Sequence, residues 1–183
     1  SNADPDLYAM ILLNNAIGGG MSSRLFQEIR ETRGLAYSVY SYHTAYSDSG
    51  VFTVYTGTAP KQTMDVYNLT MELLQEIADK GMTEEELARG KEQLKGNLIL
   101  SLESTSSRMN RQGKNELMLG KHYTLDEMIE RIERVTLNDV GKMMDRIMSS
   151  PCAIALVGAS DKWLSGFGRD FVVSSAIEAA SGE

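Results

Sequence analysis

Leu7, Met10, Ile11, Asn14 and Ile17 recur three and four positions apart, the spacing of a helix with one face turned inward. Asp4 is a suitable N-cap, and Pro5 suits the first helical position, whose N–H would be unbonded in any case. Gly18-Gly19-Gly20 stops the helix, since three glycines lose too much backbone freedom to sit inside one. Ser22 or Ser23 can cap a short second helix running to about Arg30. It buries Leu25 and Ile29 and shows Arg24, Gln27, Glu28 and Glu31 to solvent. At Gly34 the period drops to two. Leu35, Tyr37 and Val39 alternate with Ala36, Ser38 and Tyr40, which predicts a strand to Tyr46, and after the turn residues Ser47 to Gly50 the segment from Val51 to Thr58 alternates again. The pair reads as an antiparallel hairpin.

From Pro60 to Met148 the pattern is helical. Val66, Leu69, Leu73 and Ile77 form one stripe, closed by Gly81. Three threonines stand three residues ahead of an acid, Thr83 with Glu86, Thr124 with Glu127 and Thr136 with Asp139, and each pair predicts a capping box at a helix start. The first of these helices should turn Leu87, Leu94, Leu98 and Leu102 inward, and its polar stretch at Ser104 to Gln112 predicts a kink or a break. Pro151 then admits a final buried strand, Cys152 to Val157, and Ser160 to Glu183 reads as a weak helix. Helices segregated from an antiparallel sheet make this an α+β, two-layer domain with the helices on one face of the sheet.

Composition narrows the chemistry. The 183 residues carry 18 Lys and Arg against 25 Asp and Glu, a formal net charge of −7, which disfavours a nucleic-acid partner. One cysteine, Cys152, excludes an internal disulfide and a cysteine-based zinc site, and as the first residue of a buried strand it reads as a small hydrophobe. The two histidines, His43 and His122, are far apart, so no paired-histidine helix motif is present and this chain should hold no metal. No apolar run is long enough to span a membrane and no leader precedes the first helix, which points to a cytoplasmic protein. Ser1-Asn2-Ala3 has the look of a scar left by tag removal. The eleven methionines read as core filler. The glycine triplet with Met21-Ser22-Ser23 could hold an anion, but it follows a helix and lacks a Gly-Lys-Ser/Thr sequence, so a tight packing turn between two helices is the stronger reading over a nucleotide site.

The stretch from Gly18 to Tyr40, GGGMSSRLFQEIRETRGLAYSVY, together with Leu102 to Met109 and the Val135-Thr136 helix start, resembles the insulinase, pitrilysin and mitochondrial processing peptidase superfamily of zinc endopeptidases. The likeness is to the second, non-zinc half of the short bacterial members, over Asp4 to Gly158, with the first strand of that half-domain missing and residues 159–183 left as a tail. The resemblance implies an N-terminal half, in the same protein or a partner subunit, that carries zinc on His-x-x-Glu-His. It implies a peptide substrate, and it implies that Arg30 and Tyr37, seven residues apart, bind the peptide, with Tyr37 polarising the scissile carbonyl. Taken alone, the spacing favours a surface arginine and a packing tyrosine, since tyrosines are common in strands. An open sheet edge predicts a homodimer and offers a place for an extended peptide. The alternative reading is a non-catalytic homologue, a scaffold or binding subunit.

Overall fold

The computed structural model describes residues 1–158. Helix α1 spans Leu7–Gly18, a π-type helix covers Phe26–Thr32, and strands β1, Ala36–Ala45, and β2, Gly50–Thr58, follow. Helices α2 (Thr63–Lys80), α3 (Glu84–Ser101), α4 (Thr105–Leu119), α5 (Leu125–Glu133) and α6 (Leu137–Met148) complete the described chain. The sheet is the antiparallel hairpin, with Tyr40 opposite Tyr55 and Tyr42 opposite Thr53, and its register shifts between Ala36 and Ser38. The domain is α+β. Val39 and Ser41 face inward and are buried, whereas Tyr40 and Tyr42 between and after them are exposed, so the helices cover one side of the hairpin only.

Helix α1 is the hub: it touches β1, α3 and α6. Leu12, Leu13 and Ile17 are fully buried, and Leu25, Ile29, Val39, Ile77 and Met144 join them in one core. Each such side chain contributes about 1.5–3 kcal/mol by leaving water. The glycine after that stripe explains how close α1 comes. A Cβ on Gly18 would lie 2.4 Å from the Ser41 backbone nitrogen, inside any real contact. The turn reading of the glycine triplet therefore holds in altered form: the close approach is of helix to strand, not of helix to helix. Ser41 seals the contact, its hydroxyl donating to the Asn14 side-chain carbonyl oxygen at 2.8 Å.

All three capping boxes form, each threonine oxygen accepting from the third helical N–H while the acid accepts from the threonine N–H. The break in the long helix falls at Leu102 to Ser104, where the Ser104 hydroxyl caps α4. The first helix starts where its apolar stripe does, at Leu7, two residues later than a cap at Asp4 with Pro5 in the first turn predicts. Asp4 caps a turn ahead of it, accepting from the Asp6 N–H at 2.9 Å, and also holds Arg146 at 3.0 Å. The inward stripe of α3 fades as the helix leaves the core: Leu87 is buried, Leu94 and Leu98 only partly. Met82, Met128, Met143 and Met144 are core residues, but Met21 and Met109 are exposed.

The final strand does not form. Residues 152–157 pair with neither β1 nor β2, and Cys152 is exposed rather than the first residue of a buried strand. An unbroken apolar run marks a segment fit for a buried strand, but a ladder needs a neighbour at hydrogen-bonding distance, and among the described residues none pairs with it. The expected weak helix at 160–183 lies outside the described residues.

Filling the Gly18 gap should be costly. Gly18→Ala is expected to destabilise the chain by about 1–3 kcal/mol, because the nearest neighbour is the Ser41 backbone and cannot swing away. Gly20→Ala, where an added Cβ meets nothing within 4 Å, should change stability by less than about 0.5 kcal/mol. Urea denaturation of the two variants checks the contrast.

Candidate functional site

Arg30 and Tyr37 come together through a helix that is one residue too wide. Residues Phe26–Thr32 wind as a π-helix, and its end repeats the widening. The Gly34 N–H bonds the Arg30 carbonyl at 3.1 Å and the Leu35 N–H bonds the Ile29 carbonyl at 2.9 Å. Those spans are each one residue longer than in the usual glycine-terminated helix end. Gly34 takes φ +60°, a conformation that costs glycine nothing, and β1 starts two residues later. The chain thus reverses tightly enough for the last turn of the helix to face the first residues of the strand.

The Arg30 guanidinium carbon sits 5.6 Å from the centroid of the Tyr37 ring and 4.9 Å from that of Phe26. Both are cation–π distances. The nearest carboxylate, Glu31, is at 3.9 Å from Nε and exposed, too loose to consume the charge. Tyr37 is 83% exposed, so its phenol is free to meet a ligand. Two open depressions share Arg30 and Ser38. One, of about 400 Å³, runs between the glycine triplet and β1 and is walled by Phe26 and Tyr40. The other, of about 690 Å³, lies over Tyr37, Gly57 and Thr58 and is walled by Tyr55. Tyr40 and Tyr55 stack across the strands at 5.0 Å. Arg30 is the one charged side chain lining either depression among the described residues.

This arrangement offers a fixed cation, an exposed hydroxyl donor and flat aromatic walls, a set suited to a polar main chain flanked by apolar groups. Phe26 and the Tyr40–Tyr55 pair were not singled out in the sequence. Phe26 could have been, since it stands four residues before Arg30 on one helix; the Tyr40–Tyr55 pairing follows only from the hairpin register. The glycine triplet lines the first depression through its backbone.

The helix carrying Arg30 is anchored elsewhere by an ion pair that local sequence hides. Arg24, which the stripe pattern sends to solvent, instead donates to Glu86 at 2.8 and 2.7 Å and to the Gly81 carbonyl at 3.1 Å. Glu86 is at the same time the capping-box acid of α3. The shared hydrogen bond holds its carboxyl below the usual carboxylate range and raises the Arg24 guanidinium further. Ser23 is buried and its hydroxyl makes no hydrogen bond, so neither it nor Ser22 is a side-chain cap. His122 is exposed beside Glu116 at 2.8 Å. No three His, Cys, Asp or Glu side chains gather at metal-binding distance among the described residues.

The profile described as "Peptidase M16 inactive domain" matches residues 1–94. The chain belongs to the peptidase M16 family. It is 50% identical over 154 residues to the uncharacterized zinc protease YmxG of Bacillus subtilis, covering 84% of this chain and 38% of that protein. It is 44% identical over 158 residues to the uncharacterized zinc protease SCO5738 of Streptomyces coelicolor, covering 86% of this chain and 34% of that one. The M16 chain thus spans a little over a third of the length of these relatives. Among solved structures, the peptidase M16 inactive domain from Pseudomonas fluorescens superposes with a TM-score of 0.72 at 28% identity, over 80% of this chain and 35% of that one. The resemblance read from residues 18–40 and the two-layer fold are both upheld. Among the described residues no set of side chains fits the zinc of the relatives' names. No helix among the described residues is long and apolar enough to cross a membrane.

One electrostatic consequence concerns the hairpin that carries Tyr37. His43 is partly buried on β1, and burial, then the charges of Lys114 and the N-terminal amine, push its pKa below the ordinary 6.5. A depressed histidine pKa means the unfolded chain binds the proton more readily, so stability present above pH 6.5 is lost as pH falls through the folded pKa. His43→Gln should flatten the acid side of a stability profile measured between pH 7 and about pH 5, the window below the unperturbed histidine pKa.

Proposed function

We propose that this M16 domain is the substrate-binding C-terminal half of a zinc-dependent endopeptidase, with Arg30 and Tyr37 as the residues that hold the peptide. The domain runs from Asp4 to Gly158 in this reading, and the zinc belongs to the other half, in the same protein or in a partner subunit. The observation that carries the reading is the pairing of an uncompensated guanidinium with an exposed phenol at the rim shared by two open depressions.

The chemistry follows from charge development. When a peptide carbonyl is attacked its oxygen gains negative charge, and preorganised donors aimed at that oxygen lower the barrier. Arg30 holds its planar fork against two rings, so little orientation is lost on binding. The Tyr37 hydroxyl donates a single hydrogen bond from an exposed position. Neither group transfers a proton in this scheme; they bind the backbone and stabilise the oxyanion. The open edges of the hairpin suit an extended peptide added as a strand, and the same edges suit pairing of two copies of the domain.

A scaffold reading rests on the profile's own description, "inactive domain". The two readings separate in the protein that includes the zinc half. Tyr37→Phe should lower kcat by about 10²-fold, on the order of 3 kcal/mol, with a much smaller rise in KM, measured on an unfolded peptide whose cleavage is blocked by a chelator. Unchanged kinetics in Tyr37→Phe and Arg30→Ala alike would return the domain to the scaffold role.

A further inference from the structure

Many basic side chains of this acidic chain find carboxylates, Arg24, Lys95 and Arg146 among them. Three that do not converge on one spot far in sequence from Arg30. Arg111 lies on α4, Lys121 in the loop that follows and Arg131 on α5. The Arg131 guanidinium sits 4.5 Å from the Tyr123 ring centroid and 5.4 Å from that of Tyr8, and the Lys121 ammonium is 4.9 Å from Tyr123. Arg111 has a buried guanidinium nitrogen, Nη1, with no hydrogen-bond partner. The charges of Arg111 and Arg131 both act on the Tyr8 phenol, opposing the effect of its burial, and the Tyr123 hydroxyl is close enough to act on it too.

The carboxylates nearby are engaged. Glu127, which feels both Lys121 and Arg131, accepts from the Thr124 N–H at 2.7 Å and hydroxyl at 3.1 Å. Glu116 holds His122 at 2.8 Å. Aromatic rings stabilise the cations by their faces but accept no N–H in the plane of a guanidinium. A buried donor without a partner is the exception in folded proteins and asks for an occupant. Three positive charges exceed what a single carboxylate can neutralise, whereas a phosphate group carries about 1.5 to 2 negative charges at neutral pH and offers oxygens that match a guanidinium fork.

We propose that Arg111, Lys121 and Arg131, gathered around Tyr8 and Tyr123, form a binding site for a phosphate-class oxyanion. The guanidinium nitrogens of Arg111 and Arg131 donate to its oxygens, the Lys121 ammonium closes the exposed side, and the two phenols add hydroxyl donors. The site stands apart from the Arg30–Tyr37 depression and does not depend on the proteolytic reading.

Thermal melting of the full chain at constant ionic strength tests it, since a ligand that binds only the folded state raises Tm in a saturable way. Inorganic phosphate should raise Tm, while potassium chloride and acetate at matched ionic strength should not. Arg111→Gln and Arg131→Gln should abolish the saturable rise, and Arg30→Gln should leave it intact. Lys121→Gln, a change at an exposed position that leaves folding undisturbed, should weaken phosphate affinity about tenfold and decides the matter if the arginine variants do not fold. Tripolyphosphate as a second probe separates the sources: tighter binding than phosphate indicates a phosphoryl chain on a larger ligand, equal binding a free phosphate, and either upholds the site. The proposal is overturned if chloride or acetate gives the same rise, if Lys121→Gln binds phosphate unchanged, or if phosphate has no effect.

Discussion

The approach of α1 to β1 is the constraint on which the rest of this domain depends. With no side chain at Gly18, helix backbone meets strand backbone, and the Ser41–Asn14 hydrogen bond fixes the height at which they meet. That contact positions the hairpin under the helix that touches α3 and α6, so the main core is assembled around a single seat. It also sets the depth of the depression between the glycine triplet and β1, since the wall of that depression is the bare backbone of Gly18 to Gly20. The packing of α1 on β1 and the shape of the depression share one cause, the missing Cβ.

Anchorage at the other end of the site is electrostatic. Glu86 serves two elements, capping α3 and gripping Arg24 on the segment that leads into the π-helix. Both partners are only partly exposed, and the carboxylate receives several hydrogen bonds, which is the geometry in which an ion pair contributes more than a surface pair does. Arg30, which lies over the Tyr37 ring, is thereby carried on a helix held at both ends, by Arg24 before it and by the Gly34 turn after it.

What was legible in the sequence was what local chemistry decides. The Thr83, Thr124 and Thr136 boxes need only four consecutive residues, and the hairpin needs only alternation and a turn, so both could be read from the chain. Residues 152–157 show the opposite case: their apolar run is local, but a ladder is not. Arg24 was misplaced for the same reason, because its partner lies 62 residues away and the helical stripe alone sends it to solvent. The separation of Arg30 and Tyr37 could be counted, but not their meeting. That required the Gly34 reversal, and the Phe26 ring on the far side of the guanidinium became evident only with the helix in place.

The widened helix gives the site a sensitivity to chain length that side-chain identity does not reveal. In an α-helix each residue advances the screw by about 100°, and a π turn absorbs one residue more before the chain comes round. Removing a single residue between Phe26 and Thr32 would let the segment relax to the ordinary winding with its composition almost intact. A residue lost ahead of Arg30 would change the direction of its guanidinium about the helix axis and its distance from Tyr37. The aim of the guanidinium is therefore encoded as a residue count, and a one-codon deletion could separate Arg30 from Tyr37 while keeping both residues.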